Sequence, residues 1–172
     1  MQLTEIEPNW LQRFFKRFAA SQGGSRLSSH VLHHLDRLVL GLSGGRTSAA
    51  EVLGGMPIIF LTATGAKSGH LRTVPLIATP DGRRIILIAS NWGREGNPAW
   101  YHNVMAHPEV MVAYRGAQAA YKAREASGSE RDACWEKAAT LYPGYAVYRQ
   151  KTTSREIPVI ILEPEAEEGW ES

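Results

Sequence analysis

Apolar positions recur along this chain with two periods, and the change from one to the other divides it. Over residues 9–20 (N-W-L-Q-R-F-F-K-R-F-A-A), Trp10, Leu11, Phe14, Phe15 and Phe18 fall on one helical face, opposite Gln12, Arg13, Lys16 and Arg17. The pattern predicts a basic amphipathic helix that caps a core or touches an anionic surface. A second helix is predicted to start at Ser28 or Ser29, with Val31, Leu32, Leu35, Leu38, Val39 and Leu42 as its apolar stripe, and to stop at Ser43-Gly44-Gly45.

Beyond residue 56 the runs are short, β-branched and bounded by turn residues, which predicts strands. Strands are expected over 57–61, 74–78 and 84–90, the last two forming a hairpin through Pro80-Asp81-Gly82. Asn97 is expected as N-cap and Pro98 as first residue of a short helix that ends at His107-Pro108. A second hairpin (109–115 and 118–126) follows, then a helix over about 130–142 capped by Gly128 or Ser129, and a last strand over 157–163. Six or so antiparallel strands with inserted helices imply an α+β protein built on a small barrel. The expected organisation is a helical extension and linker (1–56), one barrel domain (57–164) and an acidic tail (165–172).

Composition narrows the chemistry. A net charge of +2 is too small to mark the whole chain as a nucleic-acid binder. A single cysteine, Cys134, rules out an intrachain disulfide framework, and no apolar run is long enough to span a membrane, so a cytoplasmic protein with possible surface contact through its first helix is expected. His30, His33 and His34 cluster without a carboxylate or cysteine spaced to complete a site, and no metal is expected. A nucleotide-hydrolase phosphate loop fails at both glycines, where Leu61 and Ala66 stand, and no G-x-G-x-x-G, G-x-S-x-G or metalloprotease spacing occurs.

What remains is the stretch Thr62–Pro75, T-A-T-G-A-K-S-G-H-L-R-T-V-P, between two apolar runs. Gly65 and Gly69 admit unusual backbone conformations and close approach, and Lys67 and Arg72 supply charge that no acidic residue between Glu51 and Asp81 neutralises. With Trp92, Trp100, Tyr101, Tyr142, Tyr145 and Tyr148 elsewhere, these residues suit a planar cofactor with an anionic tail. Read by themselves, they equally suit exposed loop charges and core aromatics.

Four separated motifs go further: T-G-A-K-S-G-H-L-R-T-V-P-L, A-S-N-W-G…N-P-A-W-Y-H-N-V…H-P-E-V, L-Y-P-G-Y-A-V-Y and I-P-V-I-I-L-E-P. In order and spacing, from about His30 to Pro164, the chain resembles the deazaflavin-dependent nitroreductases and quinone reductases, split β-barrel enzymes that use coenzyme F420. The resemblance implies a phosphate grip at Lys67, Ser68, Gly69 and Arg72. It implies ring contacts at Thr73, Pro75, Ser90, Asn91 and Gly93, and a closing helix bearing Trp100 and Asn103. It implies a substrate pocket lined by Ile77, Trp92, Tyr142, Tyr145 and Tyr148, with Ser90 or Tyr145 able to donate to the developing anion. Two departures stand out: Ala66 replaces a common basic residue, and Trp92 replaces a common glycine. The expected reaction is hydride transfer from reduced F420 to quinones, nitroaromatics or activated enones. The alternative is a non-catalytic split barrel that holds a lipid or cofactor.

Overall fold

The computed structural model describes residues 56–165. The two expected N-terminal helices, the histidine cluster and most of the acidic tail lie outside the described residues. Seven strands form one antiparallel sheet: β1 (Ile58–Thr64), β2 (Leu71–Ile77), β3 (Thr79–Asp81), β4 (Arg84–Ile88), β5 (Glu109–Tyr114), β6 (Ala117–Glu125) and β7 (Val159–Pro164). Their order is β2-β1-β5-β6-β7-β4-β3. Three α-helices are interspersed: α1 (Ala99–Ala106), α2 (Gly128–Leu141) and α3 (Gly144–Lys151). The basic stretch does join two paired strands, Thr64 lying opposite Leu71.

The hairpin expected between 74–78 and 84–90 does not form. β2 pairs with β1 along its whole length, and β4 takes the three-residue β3 as its hairpin partner. Buried Ala78 alone separates β2 from β3, yet these strands occupy opposite ends of the sheet order. A flat sheet of seven strands would set its edges roughly 29 Å apart, whereas two residues of chain reach about 7 Å. The sheet therefore curls until its edges meet, and β2 approaches β4. This is the split-barrel architecture, with helices added outside it and at one end.

Burial explains the sequence periods. Ile85 and Leu87 of β4 and Ile160 and Leu162 of β7 face the barrel interior with Ile59, Leu61, Val110, Val112 and Tyr121. Ile86, Ile88, Val159 and Ile161 face the other way, against Cys134, Trp135 and Ala138 of α2 and Tyr145 and Tyr148 of α3. A strand covered on both faces reads as a continuous apolar run, as in R-I-I-L-I and V-I-I-L. β5 has solvent on one face and alternates, with Val110, Val112 and Tyr114 buried. The α1 helix contributes Trp100 and Val104 to the barrel core.

Charge fastens α2 to the sheet. Arg124 donates to Glu130 at 2.7 and 2.8 Å and to Glu163 at 2.9 Å; Arg84 bonds Glu130 at 3.1 Å and also Asp81, which Lys137 bonds in turn. Hydrogen bonding from Lys137, helped by Arg84, holds the Asp81 carboxyl below its ordinary range. The fold thus prefers charged Asp81. Its stabilisation is present above the unfolded carboxylate's value of about 4 and is lost as pH falls through the lower folded value. Asp81→Asn should lower the urea midpoint at pH 7, with mutant and wild-type midpoints converging as pH drops below about 3.

Candidate functional site

The site begins in the β1–β2 connection. Gly65 N–H donates to His70 O at 2.9 Å and Gly69 N–H to Gly65 O at 2.8 Å, so the loop closes on its own backbone, with Gly69 at φ 67°. A Cβ on Gly65 would lie 2.6 Å from Ser68 Oγ, and Ser68 Oγ accepts from His70 N–H at 3.4 Å. The Ser68 hydroxyl is therefore turned into the loop. Asn103 of α1 anchors the loop from outside, its Oδ1 accepting from Ala66 N–H at 3.0 Å. Lys67, Gly69 and Arg72 are exposed, and among the described residues no carboxylate pairs with either cation.

Strand alternation divides β2 into two faces. Val74 and Leu76 pack on the barrel core, and Arg72 shares their side. Leu71, Thr73, Pro75 and Ile77 line the outer side, where Thr73 and Thr62 hydroxyls bond at 2.8 Å and Ile77 packs against the α2–α3 cluster. This outer track runs about 20 Å from the cationic loop to the aromatic cluster. Leu71, 71% exposed, marks its open end.

At the far end stand the three tyrosines. Tyr142 is an extended residue closing α2, whereas Tyr145 and Tyr148 lie on α3, so they converge through a bend between helices. Tyr142 and Tyr148 hydroxyls bond at 3.1 Å, and Tyr145 packs on both rings and on Trp135. All three are buried, and loss of solvent raises each phenol above its ordinary value, so at neutral pH they are hydrogen-bond donors and not anions. Tyr148 also meets the Trp92 indole edge-on, with ring centroids 6.3 Å apart.

Trp92 sits in a 3-10 turn, Asn91–Gly93, after β4. Asn91, Trp92 and Gly93 have φ of 48°, 60° and 73°, three left-handed residues in succession, and Trp92 remains 53% exposed. The left-handed conformation costs a bulky L-residue roughly 1–2 kcal/mol. Ser90 N–H donates to Ile88 O and Gly93 N–H to Ser90 O, both at 2.9 Å. Asn91 and Trp92 open the turn, where N–H groups have no partner within the element.

The expected residues thus fall into four groups. Lys67, Gly69 and Arg72 are exposed at the loop, which Ser68 and Asn103 brace; Thr73, Pro75 and Ile77 share the outer track; Ser90, Asn91 and Gly93 make the turn after β4; Trp92, Tyr142, Tyr145 and Tyr148 form one aromatic cluster. Trp100 differs, being buried in the barrel core. Asn97 does not cap α1; Pro98 does, and Asn97 Oδ1 accepts from Arg155 at 2.7 Å. Ser127, in place of Gly128 or Ser129, precedes α2. Cys134 is buried, which raises its thiol, in keeping with a packing role. Two residues with large local roles had no signal in the sequence: Arg155, and Gly144, read there only as part of a motif.

The arrangement is compatible with an elongated planar group with an anionic tail: at one end cations without a carboxylate partner among the described residues, then the outer face of β2, and phenols among aromatic rings at the other. Comparisons with known proteins identify the family. The profile of the F420H(2)-dependent quinone reductase family matches residues 33–164. The F420H(2)-dependent quinone reductase Rv1261c of Mycobacterium tuberculosis is 33% identical over 118 residues, covering 65% of this chain and 76% of that protein. A solved F420-H2 dependent reductase, FDR-A, superposes with a TM-score of 0.58 at 42% identity, covering 62% of this chain and 94% of its own. Another solved structure, described as a domain-swapped dimer, gives 0.60 at 36% identity and covers 79% and 98%.

Gly144 tests the aromatic cluster directly. A Cβ there would stand 2.3 Å from Tyr142 Cζ and 2.6 Å from its hydroxyl. Gly144→Ala should destabilise the protein by about 1–3 kcal/mol in denaturant unfolding, as overpacking does. Combined with Tyr142→Ala, which removes the obstructed ring, the loss should be less than the sum of the two.

Proposed function

The chain belongs to the F420H(2)-dependent quinone reductase family, and on that premise we propose that the β2 outer face is its cofactor track and the Trp92–tyrosine cluster its acceptor pocket. The observation that carries this reading is the single strand β2, which links the exposed loop of Lys67 and Arg72 to the aromatic cluster. Bound there, reduced F420 would supply a hydride from its ring carbon C5 to a quinone.

The chain's own residues position and polarise. Lys67 and Arg72, both exposed at the loop end of the track, would attract the cofactor's phosphate-bearing tail, Arg72 from the other side of β2 through a planar fork of donors. Gly69 keeps the loop's approach open, and Ser68 and Asn103 brace the loop. Thr73, Pro75 and Ile77 would hold the ring along the outer face. The Asn91 and Trp92 N–H groups would donate to the ring, and Ser90 supplies the carbonyl that closes the turn. Trp92 would shield the acceptor from solvent.

Charge develops on the acceptor's oxygen as hydride arrives, so a nearby donor lowers the barrier. Tyr148 suits this better than Tyr145, since it alone of the tyrosines contacts both the Tyr142 hydroxyl and the exposed Trp92. Electron-poor nitroaromatics and enones present the same flat shape and terminal acceptor oxygens, and the pocket's apolar walls extend to them. No described helix is long and apolar enough to cross a membrane. The basic amphipathic pattern over residues 9–20 supports surface contact, through which an apolar quinone would arrive.

Mixing the protein with reduced F420 and menadione should oxidise the cofactor; no turnover over a panel of quinones, enones and nitroaromatics would refute the assignment. Lys67→Ala with Arg72→Ala should weaken F420 binding by about 2–4 kcal/mol in a fluorescence titration, the scale of lost charge-assisted hydrogen bonds. Unchanged affinity would remove the loop from the site. Binding to anionic vesicles should fall when residues 1–20 are deleted, as read by cosedimentation.

A further inference from the structure

The segment Thr152–Glu156, between α3 and β7, has no part in the reading above, yet it grips the left-handed turn. Arg155 donates Nη1 to Asn97 Oδ1 at 2.7 Å, and Nη2 to the carbonyls of Ser90 at 3.2 Å, Arg94 at 3.3 Å and Ala89 at 3.4 Å. Beside it, Ser154 Oγ donates to Glu95 Oε2 at 2.7 Å. On another side, a Cβ on Gly93 would meet Tyr148 Cα and Lys151 Cβ at 3.4 Å, so α3 presses directly on the turn. Strand register brings the segment there: Ile88 lies opposite Val159, and Ala89 N–H donates to Pro158 O.

Three features converge on this contact. Successive left-handed residues persist only where the surroundings over-determine them, and here one guanidinium spans residues 89 to 97. Among the described residues, the buried side-chain polar atoms without a hydrogen-bond partner are Thr152 Oγ1 and Arg155 Nε, both on this segment. Backbone strain and incomplete polar pairing in one place mark a segment kept for a site at some expense of stability. Finally, the guanidinium fixes peptide orientation. Drawing the carbonyl oxygens of Ala89, Ser90 and Arg94 towards a cation restrains the peptide planes that lead into and out of Asn91 and Trp92.

We propose that Arg155 is a positioning residue of the reductase: it holds the 89–97 turn so that the Asn91 and Trp92 N–H groups, and the Trp92 indole, are aimed at the bound ring and acceptor. This rests on the assignment of that turn to the ring edge. Arg155 itself touches neither reactant. Its removal therefore leaves the anion loop, and most of the binding affinity, intact while loosening the geometry of transfer.

Full-length Arg155→Ala and Arg155→Lys separate this role from a purely structural one. In Arg155→Ala, F420 affinity by fluorescence titration should stay within about fivefold of wild type, because Lys67 and Arg72 remain. At saturating reduced F420, kcat with menadione should fall about 100-fold, the scale expected for a misplacement near 1 Å. Hydrogen exchange in apo-protein should accelerate across residues 89–97 and stay unchanged in β1, β5 and β6. Added guanidinium ion, below denaturing concentration, should recover part of both losses, and Arg155→Lys, which keeps the charge without the fork, should fall between. A lowered Tm with wild-type kcat in the folded fraction would overturn the proposal. Should Arg155→Ala not fold, Arg155→Lys decides by the same kcat criterion. Wild-type protein that does not bind F420 would instead defeat the underlying functional reading, a failure seen before any variant is compared.

Discussion

One residue of chain, the buried Ala78, joins two strands at opposite ends of a seven-stranded sheet, and the rest of the architecture follows from that constraint. The edges can meet only if the sheet curls, and curling creates an interior that Ile59, Leu61, Leu87, Val112 and Leu162 fill. It also leaves β4 and β7 with an apolar outer face, which must be covered. The α2 and α3 helices cover it, and the ion network about Asp81, Arg84, Arg124 and Glu130 fastens α2 where it lies.

The geometry of the proposed site is a by-product of the same closure. Since β2 is an edge strand whose last residue reaches the α2–α3 cluster, its outer face becomes a path between two chemically different ends. Cations that pair with no carboxylate among the described residues stand at one end, and buried phenols that keep their protons stand at the other. The turn after β4 is strained in isolation, yet it is held by Arg155, Asn97, Ser154 and the close approach of Gly93 to α3. A rigid donor array of this kind suits a reaction in which the cofactor carries the chemistry and the protein supplies placement.

Much of this could be read before any coordinates. Alternation in E-V-M-V-A-Y and turn residues at Gly116 identify a hairpin, and the unbroken I-I-L-I and V-I-I-L runs identify strands, because side-chain burial imposes its own period on the local sequence. The anion loop was legible for a similar reason: its glycines, its cations and the absence of nearby acids are all local facts. Lys67, Arg72 and the tyrosine triplet stand out in the sequence for the same reason, and the roles proposed for them come from the resemblance of four motifs to a known family.

Pairing and long-range contact were not legible. Nothing in T-V-P-L-I-A-T-P-D-G says that β2 pairs with β1 and leaves β4 to β3, since the partner each takes is set by closure of the whole sheet. Trp100, expected from the resemblance on a helix closing over the cofactor, packs in the barrel core, because which helical face points inward depends on where the barrel's end lies. Asn97 has the composition and place of a helix cap, yet its side chain accepts from Arg155, 58 residues away in sequence. The sequence by itself determined most of the strands and the charged loop, which rest on neighbours within a few positions. Only the tertiary structure decided the strand order, the two faces of β2 and the guanidinium clasp, because each depends on chain segments that meet only once the barrel has closed.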